Sequence, residues 1–363
     1  MLIFDAHLDL GMNALEWNRD ISRPVAEIRA REIELGLADK SDRGKNTVAL
    51  PDMRRGQVGI CVATMIARGY PGKSMLKSLP GFASPEIAWA MTQAQLAFYR
   101  AMEEREEMAQ IVDLAGLHKY VDLWQREPSD KLPVAYILSL EGADSILTPK
   151  HLERAYAAGL RAIGPVHYGP GRYGHGTHST GGLTAIGREL LAEMRRLGII
   201  LDATHLSDES FWEALELWDG PIWASHNNCR ALVPDQRQFS DEQLKELIRR
   251  GAVIGAAFDA WMLVPGWERG KSTPESSGVS MRHVLDHIDH VCQLAGNANH
   301  AAIGTDLDGG FGREQSPGDL DTIADLQRIP GMLAERGYAA ADVERIAHGN
   351  WIAFLERAWS ARG

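Results

Sequence analysis

Short apolar runs rich in β-branched residues recur along the chain, and between them apolar residues fall three and four positions apart. The first pattern reads as strands buried on both faces and the second as amphipathic helices. The runs predict strands over residues 4–9, 57–65, 133–141, 160–167, 199–205, 221–226, 252–258 and 301–306. Helices are predicted over 29–34, 85–110, 117–126, 149–158 and 184–197, the last closed by Gly198, then after Ser207 and over 281–295. Another opens at Ser240, which with Gln243 three residues on forms a capping box. Residues 71–85, rich in Gly, Pro and Ser, read as a loop.

Eight strand–helix units with no break in composition predict one domain over 1–363, an α/β fold of the (β/α)8 (TIM) barrel type. No Gly-x-Gly-x-x-Gly follows the first strand, which counts against an open dinucleotide-binding sheet. In a barrel, chemistry sits at the C-terminal ends of the strands. Those ends carry His7 and Asp9, Glu141, His167, His205, His226 and Asp306. His7 and Asp9, two apart, project from the same face of one strand. Six strand ends with a polar or charged group would be costly as core packing, so the set reads as a ligand cluster. Nitrogen and carboxylate donors without thiolate suit Zn²⁺ or a similar ion. The set exceeds the three or four protein ligands of one ion, which points to two.

Composition narrows the remaining classes. The net charge of −11 over 363 residues, with no basic stripe, excludes a nucleic-acid partner. No apolar stretch approaches the roughly 20 residues of a membrane span, so no membrane partner is expected. Cys61, Cys229 and Cys292 are odd in number and widely spaced, as in a reduced compartment, and no basic, apolar leader is seen. The expected location is cytoplasmic.

The cluster, in its order and spacing, resembles the membrane (renal) dipeptidase family of the amidohydrolase superfamily. The resemblance is carried by His7-Leu8-Asp9, Leu140-Glu141-Gly142 and Val166-His167. It continues through the run from Gly198 to Ser207, which contains Asp202 and His205, through Pro221 to His226, and through Gly304-Thr305-Asp306-Leu307-Asp308-Gly309. It implies a dipeptidase with two Zn²⁺ ions, one held by His7 and Asp9, the other by His205 and His226, and both bridged by Glu141. It further implies a metal-bridging hydroxide as nucleophile, Asp306 as proton carrier and His167 as the group polarising the scissile carbonyl. Arg237, eleven residues beyond His226, would hold the carboxylate of a small dipeptide substrate, as a guanidinium fork suits that task. Asp308 and Arg230 are the rivals of Asp306 and Arg237. The family also accepts a D-residue at the C-terminal position, so L-Xaa-D-Xaa dipeptides are expected substrates, and homodimerisation is expected on resemblance alone. The loops after the first and seventh strands, Leu10 to Asn13 and Phe258 to Trp261, depart from animal members, which leaves the preferred side chains open.

Another amidohydrolase reaction, on a cyclic amide, lactone or N-acyl amino acid, is the rival activity. Arg237 discriminates, because a free carboxylate demands such a cation and a lactone does not. A barrel kept only for binding would have lost a ligand, and none is missing. His283, His287 and His290 are expected on the solvated face of helix 281–295, and His175 and His178 in an exposed loop. Glu103 to Glu107 reads as charged helix surface.

Overall fold

The computed structural model describes residues 1–69 and 81–360; most of the loop read over 71–85 lies outside them. Its strands are β1 (Ile3–Leu8), β2 (Val58–Ile66), β3 (Met108–Gln110), β4 (Val134–Glu141), β5 (Leu160–Gly164), β6 (Ile200–Asp202), β7 (Ile222–Trp223), β8 (Ile254–Ala256) and β9 (Ala301–Ile303). All eight expected strands are present. Seven strands form one parallel sheet in the order β1-β2-β4-β5-β6-β7, with β3 pairing the first residues of β4, and β8-β9 form a second. A bridge between Ala224 and Ile254 joins the two sheets. The Asp306 amide donates to the His7 carbonyl at 3.2 Å, which brings β9 back to β1 and closes the wall into an α/β barrel.

Alternation along the strands builds the interior in layers. On β4, residues Ala135, Ile137, Ser139 and Glu141 share one face, and on β2 Ile60, Val62 and Thr64 do the same. The lower members join Phe4, Ala6, Ala162, Ile200 and Trp223 in a buried apolar cluster with Trp351 and Phe354 of the C-terminal helix. Above it lies a hydroxyl layer, where Thr64 and Ser139 meet at 2.9 Å. The ligand candidates cap that layer. A larger apolar cluster fills the space between wall and helices.

The helices begin and end where the sequence chemistry dictates. Ser84, Thr184, Ser207 and Ser240 each accept an amide hydrogen bond at an N-cap, and Ser240 with Gln243 completes the capping box. Gly198 closes helix Ala185–Leu197 in the left-handed conformation. Among the described residues no helix is long and apolar enough to cross a membrane.

Several expectations need correction. The helix from Pro85 ends at Glu104, and Glu106 turns the chain at φ 57° so that Met108–Gln110 can enter the sheet as β3. The acidic run therefore ends a helix; Glu103 accepts from Tyr136, and Glu107 pairs with Arg54. His287 is buried, not solvated. It lies one turn from both Val284 and Val291, and its Nδ1 accepts the Cys229 amide at 3.1 Å. His283 and His290 are half-buried, His290 against Asp241. His175 is also half-buried, whereas His178 is exposed and pairs with Asp235.

Candidate active site

The strands end sooner than their apolar runs. His167, His205, His226 and Asp306 each lie three residues past the strand that precedes them, while His7 and Glu141 lie within theirs. His205 and Asp306 adopt left-handed backbone, at φ 69° and 59°, which non-glycine residues adopt only where surrounding structure compels it. Gly309 permits the Asp306 turn, since a Cβ there would sit 1.9 Å from Asp306 Oδ1.

The expected histidine ligands His7, His205 and His226 converge on Glu141. Its Oε2 lies 3.7 Å from His7 Nε2, and its Oε1 lies 3.0 Å from His205 Nε2 and 3.3 Å from His226 Nε2. The two carboxylate oxygens thus face different histidines. His7 Nε2 also lies 3.9 Å from Asp9 Oδ1 and 3.8 Å from Asp306 Oδ1, and His167 Nε2 is 3.8 Å from Glu141 Oε1. Three overlapping groups have ligand-like spacing: His7, Glu141 and His226; Glu141, His167 and His205; and His7, Asp9 and Asp306.

The donor set fits divalent cations. Among the described residues His7 Nε2, Asp9 Oδ1 and Glu141 Oε1 are buried without hydrogen-bond partners, a costly arrangement that a cation would relieve. Thr177 and Ser225 hydroxyls engage Nδ1 of His205 and His226 at 2.8 and 2.9 Å, leaving each Nε2 for the centre. Burial, as the main cause, holds all four imidazoles well below their usual range and therefore neutral, the form that binds metal. Burial and then the neighbouring Glu141 charge push Asp9 and Asp306 well above the usual carboxylate range.

The rivals separate cleanly. The Asp308 carboxylate is spent on Thr47 and Val48, accepting from the Thr47 amide and hydroxyl at 2.7 Å and the Val48 amide at 2.9 Å. Arg230 is paired with Asp208. Arg237, only 2 % exposed, lines one cavity together with Asp9, Glu141, His167, His205 and Asp306. It donates to Asn227 Oδ1 at 2.7 Å and to the His226 carbonyl at 2.9 Å, and no carboxylate pairs with it among the described residues.

The same cavity brings in Tyr168, Asp259, Arg269 and Gln315, none of which the sequence had marked as site residues. They come from loops without periodicity; the departure of Phe258 to Trp261 from animal relatives was the one usable signal. The positioning residue Asp5 was missed as well. Its carboxylate accepts from the Thr305 amide and hydroxyl at 2.8 and 2.6 Å and from the His7 amide at 3.2 Å, tying together the two strands that carry His7 and Asp306.

A parallel barrel with neutral imidazoles and crowded carboxylates around one mouth is the construction of a metal-dependent hydrolase. The model of the membrane dipeptidase family (peptidase family M19) matches residues 1–361, and the chain belongs to that family. A Klebsiella pneumoniae protein encoded in the pqqA 5′ region, uncharacterised, is 30% identical over 244 residues, 65% of this chain and 86% of its own. The crystal structure of the M19 metallopeptidase dipeptidase AC superposes with TM-score 0.78 at 25% identity, covering 99% of both chains. A Rhodobacter sphaeroides metallopeptidase, liganded with a phosphinate mimic of L-Ala-D-Ala, does so with TM-score 0.77 at 24% identity, again over 99% of both.

Proposed function

We propose that the protein is a zinc-dependent dipeptidase that hydrolyses the peptide bond of dipeptides, L-Xaa-D-Xaa dipeptides among them. The observation that carries this reading is one cavity in which Glu141 turns its two oxygens to separate histidines while a buried Arg237 faces the same space without a carboxylate partner. His7 and Asp9 would hold one ion, His205 and His226 a second, and Glu141 would bridge them. When bound, the pair supplies a water acidified to react at neutral pH and a Lewis acid for the carbonyl.

The remaining work falls to the chain. Arg237 anchors the substrate's terminal carboxylate, which fixes the scissile bond over the cluster and restricts substrates to short peptides. His167 presents an imidazole to the carbonyl oxygen as it gains charge. The Asp306 carboxylate, 3.8 Å from His7 Nε2 at the edge of the cluster, takes a proton in its ionised form from the attacking water and delivers it to the leaving amine.

The test is release of free amino acid from L,L and L,D dipeptides, L-Ala-D-Ala included, with zinc supplied and then removed by chelator. Chelator-sensitive cleavage is expected. Absence of cleavage by protein shown to hold two metal ions per chain overturns the substrate. Arg237→Ala is expected to raise KM by about 10- to 100-fold with metal content unchanged, as loss of a charge-assisted bidentate contact would. Unaltered kinetics remove Arg237 from the site.

A further inference from the structure

The cavity holds a second arginine that neither metal binding nor anchoring of the terminal carboxylate uses. Arg269 lines the same cavity as Arg237, and its guanidinium lies over the Trp261 ring, 4.8 Å from the centroid. Only Nη2 finds partners among the described residues, and both are distant: Tyr168 Oη at 3.4 Å and Asp259 Oδ2 at 3.4 Å. Asp259 offers little more, because its oxygens already accept from Gln315 Nε2 at 2.8 Å and Trp261 Nε1 at 2.6 Å. The carboxylate thus fixes the Trp261 platform and leaves the guanidinium with N–H groups to spare. A platform-mounted, under-used fork facing a cavity is built to take an anion from outside the protein.

We propose that Arg269 is a specificity-determining residue that selects dipeptides with a second carboxylate, borne on a side chain. The inference rests on the dipeptidase reading and deepens it. Arg237 takes the main-chain carboxylate and Arg269 the side-chain one, so the two arginines together read a dianionic ligand. The side-chain carboxylate can come from the N-terminal or the C-terminal residue of the dipeptide, and the experiment separates these sources.

Steady-state constants are compared for L-Ala-D-Ala, L-Ala-D-Glu and L-Glu-D-Ala with the zinc-loaded wild type and with Arg269→Lys, Arg269→Met and Arg269→Glu. One acidic dipeptide is expected to exceed L-Ala-D-Ala in kcat/KM by about tenfold, mainly through KM, as a charge-assisted contact at a half-exposed site provides. The favoured acidic dipeptide identifies which substrate residue faces Arg269. Arg269→Met should erase that ratio, Arg269→Lys should keep most of it, and Arg269→Glu should reverse it. Identical ratios in the wild type and Arg269→Glu overturn the proposal. So does a loss shared equally by all three substrates, the mark of a purely structural arginine. If no dipeptide is cleaved, the dipeptidase reading has failed, and calorimetric binding of phosphinate mimics of the three sequences decides about Arg269. Tighter binding of an acidic mimic that Arg269→Glu abolishes supports the assignment; equal affinities overturn it.

Discussion

β2 and β4 are paired over seven residue positions, whereas β6 and β7 share two and β8 and β9 three. The first half of the wall is held by its backbone ladder. In the second half side chains take over much of that work. The Asp202 carboxylate accepts the amides of Thr204 and Ser225 at 3.0 and 3.1 Å, and Asp5 does the same for Thr305 across the closing seam. The Asn228 amide exchanges hydrogen bonds with Ala257 in both directions. Glycine allows the short strands to approach so closely: a Cβ on Gly255 or Gly304 would lie 2.0 or 1.8 Å from the Ser225 carbonyl oxygen. The difference teaches where precision comes from. His7 and Glu141 are aimed by regular strand, while His205, His226 and Asp306 are aimed by buried polar side chains and strained backbone.

The comparison can be broken most severely at Asp306. Gly309→Ala forces a methyl group onto Asp306 Oδ1 and should lower kcat by about 10²-fold, the scale of a misplaced catalytic group, with the fold retained by circular dichroism. Near-wild-type turnover would show that the second half tolerates re-aiming. Next in size is the seam. Asp5→Asn leaves a donor facing the Thr305 amide or hydroxyl and should cost about 2–3 kcal/mol in urea unfolding. Cys61→Ala, on the ladder-held β2 at the position that pairs with Asp5, should cost only about 1 kcal/mol by loss of one buried sulfur. Equal costs would remove the contrast.

An effect seen only on acidification concerns His287, which links the segment after β7 to the helix Met281–Ala295. Burial lowers its pKa to about 3. Below the ordinary value near 6.5 the unfolded chain takes up a proton that the folded chain refuses, so this contribution is complete above pH 6.5 and is lost as the pH falls toward 3. By pH 5 the loss is about 2 kcal/mol. Unfolding midpoints at pH 5 and 7.5 should therefore converge in His287→Gln relative to wild type. An unchanged gap would place the acid sensitivity elsewhere.

The same contrast explains what could be read without coordinates. Long apolar runs make β1, β2 and β4 plain, and β1 and β4 end in ligands, so His7 and Glu141 are visible as exceptions to a pattern. His205, His226 and Asp306 were found because their runs continue past the last ladder residue. The apolar residues there pack as loop, which also explains why those strands were read too long. Arg269, Asp259 and Gln315 break no pattern, since polar residues in loops are ordinary. β3 was hidden because three residues beside an acidic run carry almost no periodic signal. His287 was misread because a polar residue on a buried helical stripe reveals itself only through the partner that satisfies it, here a backbone amide 58 positions away.

The fixed interval of three residues between strand and functional side chain separates two design problems. Much of what aims His167, His205, His226 and Asp306 lies within that interval and the strand before it, with Thr177 and Gly309 as supports from outside it. The chain beyond, where Tyr168, Arg269 and Gln315 lie, can be exchanged provided Thr177 and Gly309 are kept, so one chemical engine can take new recognition surfaces by transplanted loops.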